Sequence, residues 1–236
     1  MLNECEWDTL RLGIKVGRID YTSSRGRDDL EKLSPALAAY DLIYLFSDEY
    51  LGDEVNLGAF SGKEWGGRAS LEIKTNHDER PLFAKVLEVV TLNELPSEAI
   101  DILVLSGEYS RFSIDPEMPR FFMPMMYEEW GESVLADESG EVVGTKDARG
   151  EINGICCIKH GSSESNIELI AVRKSCRGKG LGKILIQSAI QKTMDRRISK
   201  LIVNTQRINV PALSLYMSCG FHMVQEQYTY HLRKTR

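Results

Sequence analysis

What the chain lacks narrows its class before any motif is read. No stretch approaches the roughly 20 apolar residues that cross a bilayer. The opening Met1 to Asp8 has neither a basic start nor an apolar run, so no leader is expected and the expected location is cytoplasmic. The five cysteines are odd in number and form no Cys-x-x-Cys pair, which argues for reduced thiols over a disulfide framework. Cys156 and Cys157 are adjacent, so in a strand they would face opposite sides. The four histidines, His77, His160, His222 and His231, show no ligand spacing, and no metal is expected. A formal charge of −6 excludes a uniformly basic nucleic-acid binder and requires that any anionic ligand meet a local basic patch.

That patch is present. Basic residues cluster from Arg173 to Lys183 and again at Arg196, Arg197 and Lys200. Within the first cluster, Ile167-Glu168-Leu169-Ile170-Ala171-Val172 reads as a buried strand, and Lys183 onward has helical spacing. Gly178, Gly180 and Gly182 therefore occupy a strand-to-helix turn. The first amides of a helix lack intrahelical acceptors and carry the positive end of its dipole, so such a turn suits an anion, at about 0.3 to 1 kcal/mol per charge from the dipole. Arg177 and Lys179 would add charge-assisted hydrogen bonds. The turn is not a Walker A loop, which needs four residues between Gly and Gly-Lys-Ser/Thr. It also fits a dinucleotide fingerprint poorly, because its glycines run G-x-G-x-G and the next strand, Leu201 to Thr205, ends without a ribose-binding carboxylate. Arg177-x-x-Gly180-x-Gly182 after a strand ending in Val172 resembles the acyl-CoA pyrophosphate loop of the GNAT N-acetyltransferases.

The order of elements agrees with that resemblance. Residues 1 to about 90 offer short strands at Ile14 to Tyr21, Leu42 to Ser47, Ala69 to Lys74 and Leu82 to Val90, with a helix over Leu30 to Ala39. A boundary falls at Thr91 to Ser97, where Pro96 and Ser97 open a helix with Ile100, Leu103, Val104 and Leu105 on its buried stripe. A second helix over Arg120 to Leu135 would bury Phe121, Met125, Met126, Trp130 and Val134. Strands at Val142 to Asp147, Ile152 to Lys159 and Ile167 to Val172 precede the anion turn. After it come a helix to Arg196, strand Leu201 to Thr205, helix Asn209 to Ser218 and a final strand pair from Phe221 to Leu232. The expected class is α/β (α+β), a GNAT fold over residues 96–236 whose mixed central sheet is flanked by helices, with a smaller N-terminal α/β domain over residues 1–95 that contacts the acceptor substrate.

Asn209-Val210-Pro211-Ala212-Leu213-Ser214-Leu215-Tyr216, with Gly220-Phe221, resembles the same superfamily's N-x-x-A-x-x-L-Y-x-x-x-G-F signature. The resemblance implies acetyl-CoA as cosubstrate, its pantetheine arm lying between the strands of Leu169 and Val203. It places Leu169, Ile170, Val172, Arg177, Gly178, Lys179, Gly180, Leu181, Gly182, Lys183 and Asn209 on the cofactor. An amide of Leu169 or Ile170 would polarise the thioester carbonyl, and Tyr216 would donate to the departing thiolate. Glu168 is the candidate base for the attacking amine, with pairing to a basic helix residue as the alternative. Asn209 reads equally as a CoA contact and as a helix N-cap. Tyr216 reads alternatively as a core tyrosine, and Cys176 as a thiol beside the turn or a plain loop residue.

For the acceptor, Trp7 to Gly13 with Gly17-Arg18, and Tyr109-Ser110-Arg111-Phe112 with Asp115, resemble the dTDP-fucosamine acetyltransferases, which act on dTDP-4-amino-4,6-dideoxygalactose. By that resemblance Arg111 would meet the diphosphate, while Trp7 and Phe112 would stack on base or sugar, or alternatively pack the smaller domain onto the larger. The expected activity is direct acetyl transfer to a nucleotide-linked amino sugar. Two alternatives are another acetyl transfer, to a peptide N-terminus, polyamine or small amine, and a non-catalytic acyl-CoA-binding module. No nucleic-acid or membrane partner is expected, and exposed strand edges near the C-terminus leave room for a homodimer.

Overall fold

The computed structural model of the protein describes residues 2–75 and 88–235. Its N-terminal portion carries β1 (Leu2–Glu4), α1 (Glu6–Leu12), β2 (Val16–Tyr21), the short helices α2 (Arg27–Glu31) and α3 (Ser34–Leu37), β3 (Leu42–Ser47), β4 (Glu54–Leu57) and β5 (Phe60–Lys74). From residue 88 follow β6 (Glu88–Thr91), α4 (Ser97–Val104), α5 (Arg111–Ile114), α6 (Phe122–Ala136), β7 (Gly140–Lys146), β8 (Ile152–His160) and β9 (Ser165–Val172). The chain closes with α7 (Leu181–Asp195), β10 (Lys200–Gln206), α8 (Val210–Ser218) and β11 (His222–Lys234). Among the described residues no helix is long and apolar enough to cross a membrane.

The fold is a mixed sheet flanked by helices, the architecture that the resemblance predicts. Its strand order is β1-β2-β3-β11-β5-β10-β9-β8-β7-β6, with β4 paired to β5 off this path. Strands from either side of residue 95 therefore share one sheet, joined where β5 pairs with β10 and β11. Helices α7 and α8 cover one face over Leu185, Ile186, Ala189, Leu201 and Val203. Helices α4 and α6 cover the other over Ile102, Leu103, Val134, Ile155 and Leu169. Each such buried leucine, isoleucine or valine side chain contributes ~1.5–3 kcal/mol. Cys156 belongs to the first core and Cys157 to the second, so the adjacent thiols do face opposite sides, and burial pushes both up in pKa.

Several elements depart from what the residue pattern predicts, each for a local reason. The helix expected over Leu30 to Ala39 is split, because Pro35 stands in the first turn of α3 and the chain restarts there. Strand β5 begins nine residues before Ala69, since its glycines mark close approach rather than turns. A Cβ on Gly62 would lie 1.8 Å from the His231 carbonyl oxygen, and one on Gly67 2.2 Å from that of Gln227. The expected final strand pair is one 13-residue strand, bent by irregularities at Met223/Gln225 and Tyr228/Tyr230 instead of a turn. Residues 82–87 of the strand expected over Leu82 to Val90, and His77, lie outside the described residues.

Helix α6 buries Val134 and half-buries Met125 and Met126 as predicted, but Phe121 and Trp130 turn outward. Phe122, Tyr127, Gly131 and Val134 are buried, whereas Phe121 is 58% exposed and Trp130 37%. Phe122 packs with Phe112, Tyr44 and Phe46, the residues that join β3 to α5 and α6. A buried polar link reinforces that junction. The His231 Nδ1–H donates to Asp115 Oδ2 at 2.6 Å and Arg233 donates to the same oxygen at 2.7 Å. Burial pushes His231 down to about 4, so it is neutral near pH 7, while these bonds overcome the effect of burial on Asp115 and hold its carboxyl below the usual range.

Candidate active site

Strands β9 and β10 run parallel but pair only through Leu201–Ser165, Ile202–Asn166 and Val203–Ile167. Beyond Ile167 and Val203 they separate. The split starts beside a bulge, because on β9 the register to β8 steps from Ile158–Ile167 to Cys157–Leu169 and leaves Glu168 as the extra residue. Between the diverging strands opens a cleft of about 810 Å³, lined by Ile167 to Val172 on one side and Val203 to Gln206 on the other. Backbone that would otherwise complete a sheet is thus presented to a ligand.

One end of the cleft is the glycine turn. Gly178 and Gly180 adopt φ of +76° and +83°, the left-handed region that glycine enters without strain. Gly180 caps α7 and so offers no side chain to its first amides, and the first turn holds no acid that would compete with an anion. Gly182 has a different reason. A Cβ there would lie 2.7 Å from Leu215 Cδ2, so its role is the close approach of α7 to α8. Arg177 at the rim donates to Glu108 at 3.0 Å and to the Val172 carbonyl at 3.3 Å. Glu108 also binds Lys174 at 2.8 Å, the contact that most lowers its carboxyl pKa. Solvated pairs of this kind hold by up to about 1 kcal/mol, so Arg177 remains available to a phosphate. Lys183 lines the cleft, whereas Lys179 is exposed and stands outside the lining.

The middle of the cleft holds the groups suited to acyl transfer. Tyr216 on α8 is 3% exposed, its ring 5.8 Å from that of Phe221, and burial pushes its phenol pKa well above the ordinary value. It therefore remains a hydrogen-bond donor at neutral pH. A thiol titrates near 8.5, so full proton transfer from this phenol to a thiolate is uphill and hydrogen bonding is the favoured interaction. Glu168 is half-buried, accepts from the Trp130 indole at 3.2 Å, and is raised in pKa by burial. That shift moves a carboxylate toward the range where it is an effective base. Trp130, expected in the core, instead orients this carboxylate. Asn209 is both N-cap and cleft wall: its Oδ1 accepts from the Ala212 amide and its Nδ2 donates to Thr205 Oγ1, each at 3.3 Å.

The far end is built from α1, β5, α5 and α6. Trp7 donates to Glu129 at 2.9 Å and stacks 5.5 Å from Phe122, so it joins α1 to α6 while one side faces the cleft. Phe112 is buried in the aromatic junction and also lines the cleft. The Arg111 guanidinium lies over the rings of Phe112, Tyr44 and Phe46 at 4.0, 4.7 and 5.0 Å. Asp8, raised in pKa by burial, accepts from Tyr44 at 3.1 Å. Arg68 and Asp8 also line this end; Asp8 lies in the Trp7 to Gly13 stretch but was given no role from sequence, and Arg68 was not singled out. Among the described residues no group of three or more His, Cys, Asp or Glu could hold a metal.

Comparison with known proteins bears on the same portion of the chain. The acetyltransferase (GNAT) family model matches residues 104–221. The spore coat polysaccharide biosynthesis protein SpsD of Bacillus subtilis (strain 168) is 27% identical over 123 residues, 52% of this chain and 42% of that protein. This chain thus spans less than half the length of that relative. The uncharacterized N-acetyltransferase YvbK of the same organism is 30% identical over 110 residues, 42% of this chain and 71% of that protein. Among solved structures, a GCN5-related N-acetyltransferase from Sphaerobacter thermophilus superposes with a TM-score of 0.54 at 13% identity, covering 92% of this chain and 73% of that one.

Proposed function

This chain belongs to the acetyltransferase (GNAT) family, whose acetyl donor is acetyl-CoA, and from that premise we propose that it transfers the acetyl group to the amine of a nucleotide-diphosphate amino sugar of the dTDP-4-amino-4,6-dideoxyhexose type. The observation that carries the reading is the single cleft that joins a bare helix N-terminus, through split β9 and β10, to an arginine-bearing far end. Two ligands with anionic groups can meet head to head within it. Relatedness to a spore coat polysaccharide biosynthesis protein supports a sugar acceptor.

In this reading the pyrophosphate of acetyl-CoA rests on the amides of Leu181 to Lys183, with Arg177 and Lys183 supplying charge and Gly178 and Gly180 supplying the turn. The pantetheine arm follows Val172 and Ala171 back to Ile170 and Leu169, where a backbone amide receives the thioester oxygen. One such donor is worth about 10²–10³ in kcat. Glu168, held by Trp130, takes a proton from the acceptor amine as its nitrogen attacks the carbonyl carbon. The C–S bond then breaks, and the Tyr216 hydroxyl donates a hydrogen bond to the departing thiolate. Trp7, from residues 1–95, and Phe112 flank base or sugar, and Arg111 meets the diphosphate.

The test is a panel of dTDP- and UDP-amino sugars, peptides and polyamines incubated with acetyl-CoA, followed by free-thiol release and mass of the product. Acetylated nucleotide sugar supports the reading. Product from peptides or polyamines but from no nucleotide sugar overturns it, and CoA binding without turnover across the panel would assign the chain to a non-catalytic role.

A further inference from the structure

A second cationic group stands at the acceptor end of the cleft. Arg68 of β5 and Arg111 of α5, 43 positions apart in the chain, both line it. The Nε of each is buried without a hydrogen-bond partner, and among the described residues neither forms an ion pair. Both residues are half-buried, and a guanidinium with a buried, unpaired Nε ordinarily finds a carboxylate, since burying an unpaired charge is costly. Arg18 of β2 stands close enough to both to oppose their charges, and its guanidinium lies 4.3 Å from the centroid of the Phe46 ring that Arg111 also covers. Arg18 has its own partner in Asp20, at 2.8 Å. Asp8 offsets part of the charge on Arg111 but is engaged by the Tyr44 hydroxyl. Asp20 likewise offsets part of the charge on Arg68 while paired to Arg18, so three guanidinium groups share two carboxylates and the end of the cleft is only partly neutralised.

Resting on the reading of this cleft as a donor and acceptor site, we infer that Arg68 and Arg111 form a two-arginine clamp for a phosphate or diphosphate group carried by the acceptor, separate from the glycine turn that takes CoA. Two planar guanidinium forks match the many oxygens of a phosphate ester, and each makes charge-assisted bonds that a neutral amine or a polycation could not use. The clamp selects against polyamines by charge repulsion and admits amines that bear a phosphate. Its Arg68 half comes from residues 1–95, which gives that portion of the chain a direct part in specificity.

The test is calorimetric titration of inorganic pyrophosphate into protein saturated with CoA, so that the glycine turn is already filled. One pyrophosphate per chain is expected. Arg68→Gln and Arg111→Gln should each weaken it by about tenfold or more, the scale of a lost charge-assisted bond, with CoA affinity unchanged. Arg68→Lys keeps charge without the fork and should fall between. No uptake by the CoA-saturated wild type, equal uptake in both Gln variants, or equal binding of a dicarboxylate such as glutarate overturns the clamp. Titration of dTDP separates a nucleotide diphosphate from a simple phosphate ester: tighter binding than pyrophosphate identifies the former, equal binding the latter, and either sustains the clamp. If pyrophosphate binding is lost in the variants yet no nucleotide sugar is acetylated, the clamp stands and the nucleotide-sugar acceptor falls. If both variants acetylate a nucleotide sugar with wild-type KM, the acceptor stands and the clamp falls.

Discussion

The two ends of the cleft are built by different means. The end at the glycine turn is mostly backbone: amides of α7, strand edges of β9 and β10, and a left-handed Gly180, all within some 40 residues of chain. The arginine end is made of side chains, from Trp7 and Asp8 on α1, Arg68 on β5 and Arg111 and Phe112 on α5. A backbone site must be written into local sequence, because only certain residues permit its conformation. A side-chain site needs only that distant residues be brought together. The first can serve a ligand common to a whole family while the second changes acceptor by substitution at a few positions.

Substitutions that act on one end alone are the way to break this comparison. Removing the hydroxyl in Tyr216→Phe should have the largest effect, about 10²-fold in kcat with acetyl-CoA affinity little changed, read by steady-state kinetics and CoA titration. An unchanged kcat would return Tyr216 to a packing role. Next, Arg111→Gln should raise the acceptor KM by about tenfold or more while leaving the acetyl-CoA KM alone. Equal effects on both would mean that the two ends are not separate.

Glu168→Gln sharpens the join between them. Burial raises the Glu168 carboxyl, so wild-type kcat/KM should fall as pH drops through a value above the ordinary glutamate range of about 4.3, as the carboxylate takes up its proton. The Gln variant should lose about tenfold or more at neutral pH and lack that limb. Persistence of the same limb in the variant would exclude Glu168 as base. The smallest expected change is in Gly182→Ala, whose new methyl meets Leu215. It should cost about 1–3 kcal/mol of stability, seen as a lowered Tm, unless the end of Leu215 moves aside.

The same contrast explains what could be read from sequence. The glycine turn and the order of elements from Ser97 to Ser218 were legible from local periodicity and conformation, and the Asn209 to Phe221 segment from its resemblance to a family signature; the final strand pair was not, because β11 bends without a turn. The bulge at Glu168 was not, since one polar residue within Ile167 to Val172 is equally compatible with a regular strand and only pairing with β8 reveals the extra residue. Arg68 was hidden because Gly66 and Gly67 beside it look like a turn, yet Gly67 lets β11 approach within a single long strand. Trp130 sits at core-like spacing on α6, and only the packing of Phe122 and Tyr127 one register away shows that it faces the cleft. Arg111 was singled out by resemblance, but its unpartnered Nε and the rings around it are tertiary facts.

The central claim is that one cleft brings acetyl-CoA from the glycine turn and a phosphate-bearing amine from the arginine end to a common point beside Glu168 and Tyr216. The most direct measurement compares acetyl transfer to dTDP-4-amino-4,6-dideoxygalactose with transfer to the same amino sugar as its methyl glycoside, which keeps the amine and lacks the diphosphate. A kcat/KM for the nucleotide sugar about 10²-fold or more above that of the glycoside, shrinking toward unity in Arg68→Gln and Arg111→Gln, is the predicted result. Equal rates on the two sugars in the wild type, or turnover of neither while peptides or polyamines are acetylated, would contradict it.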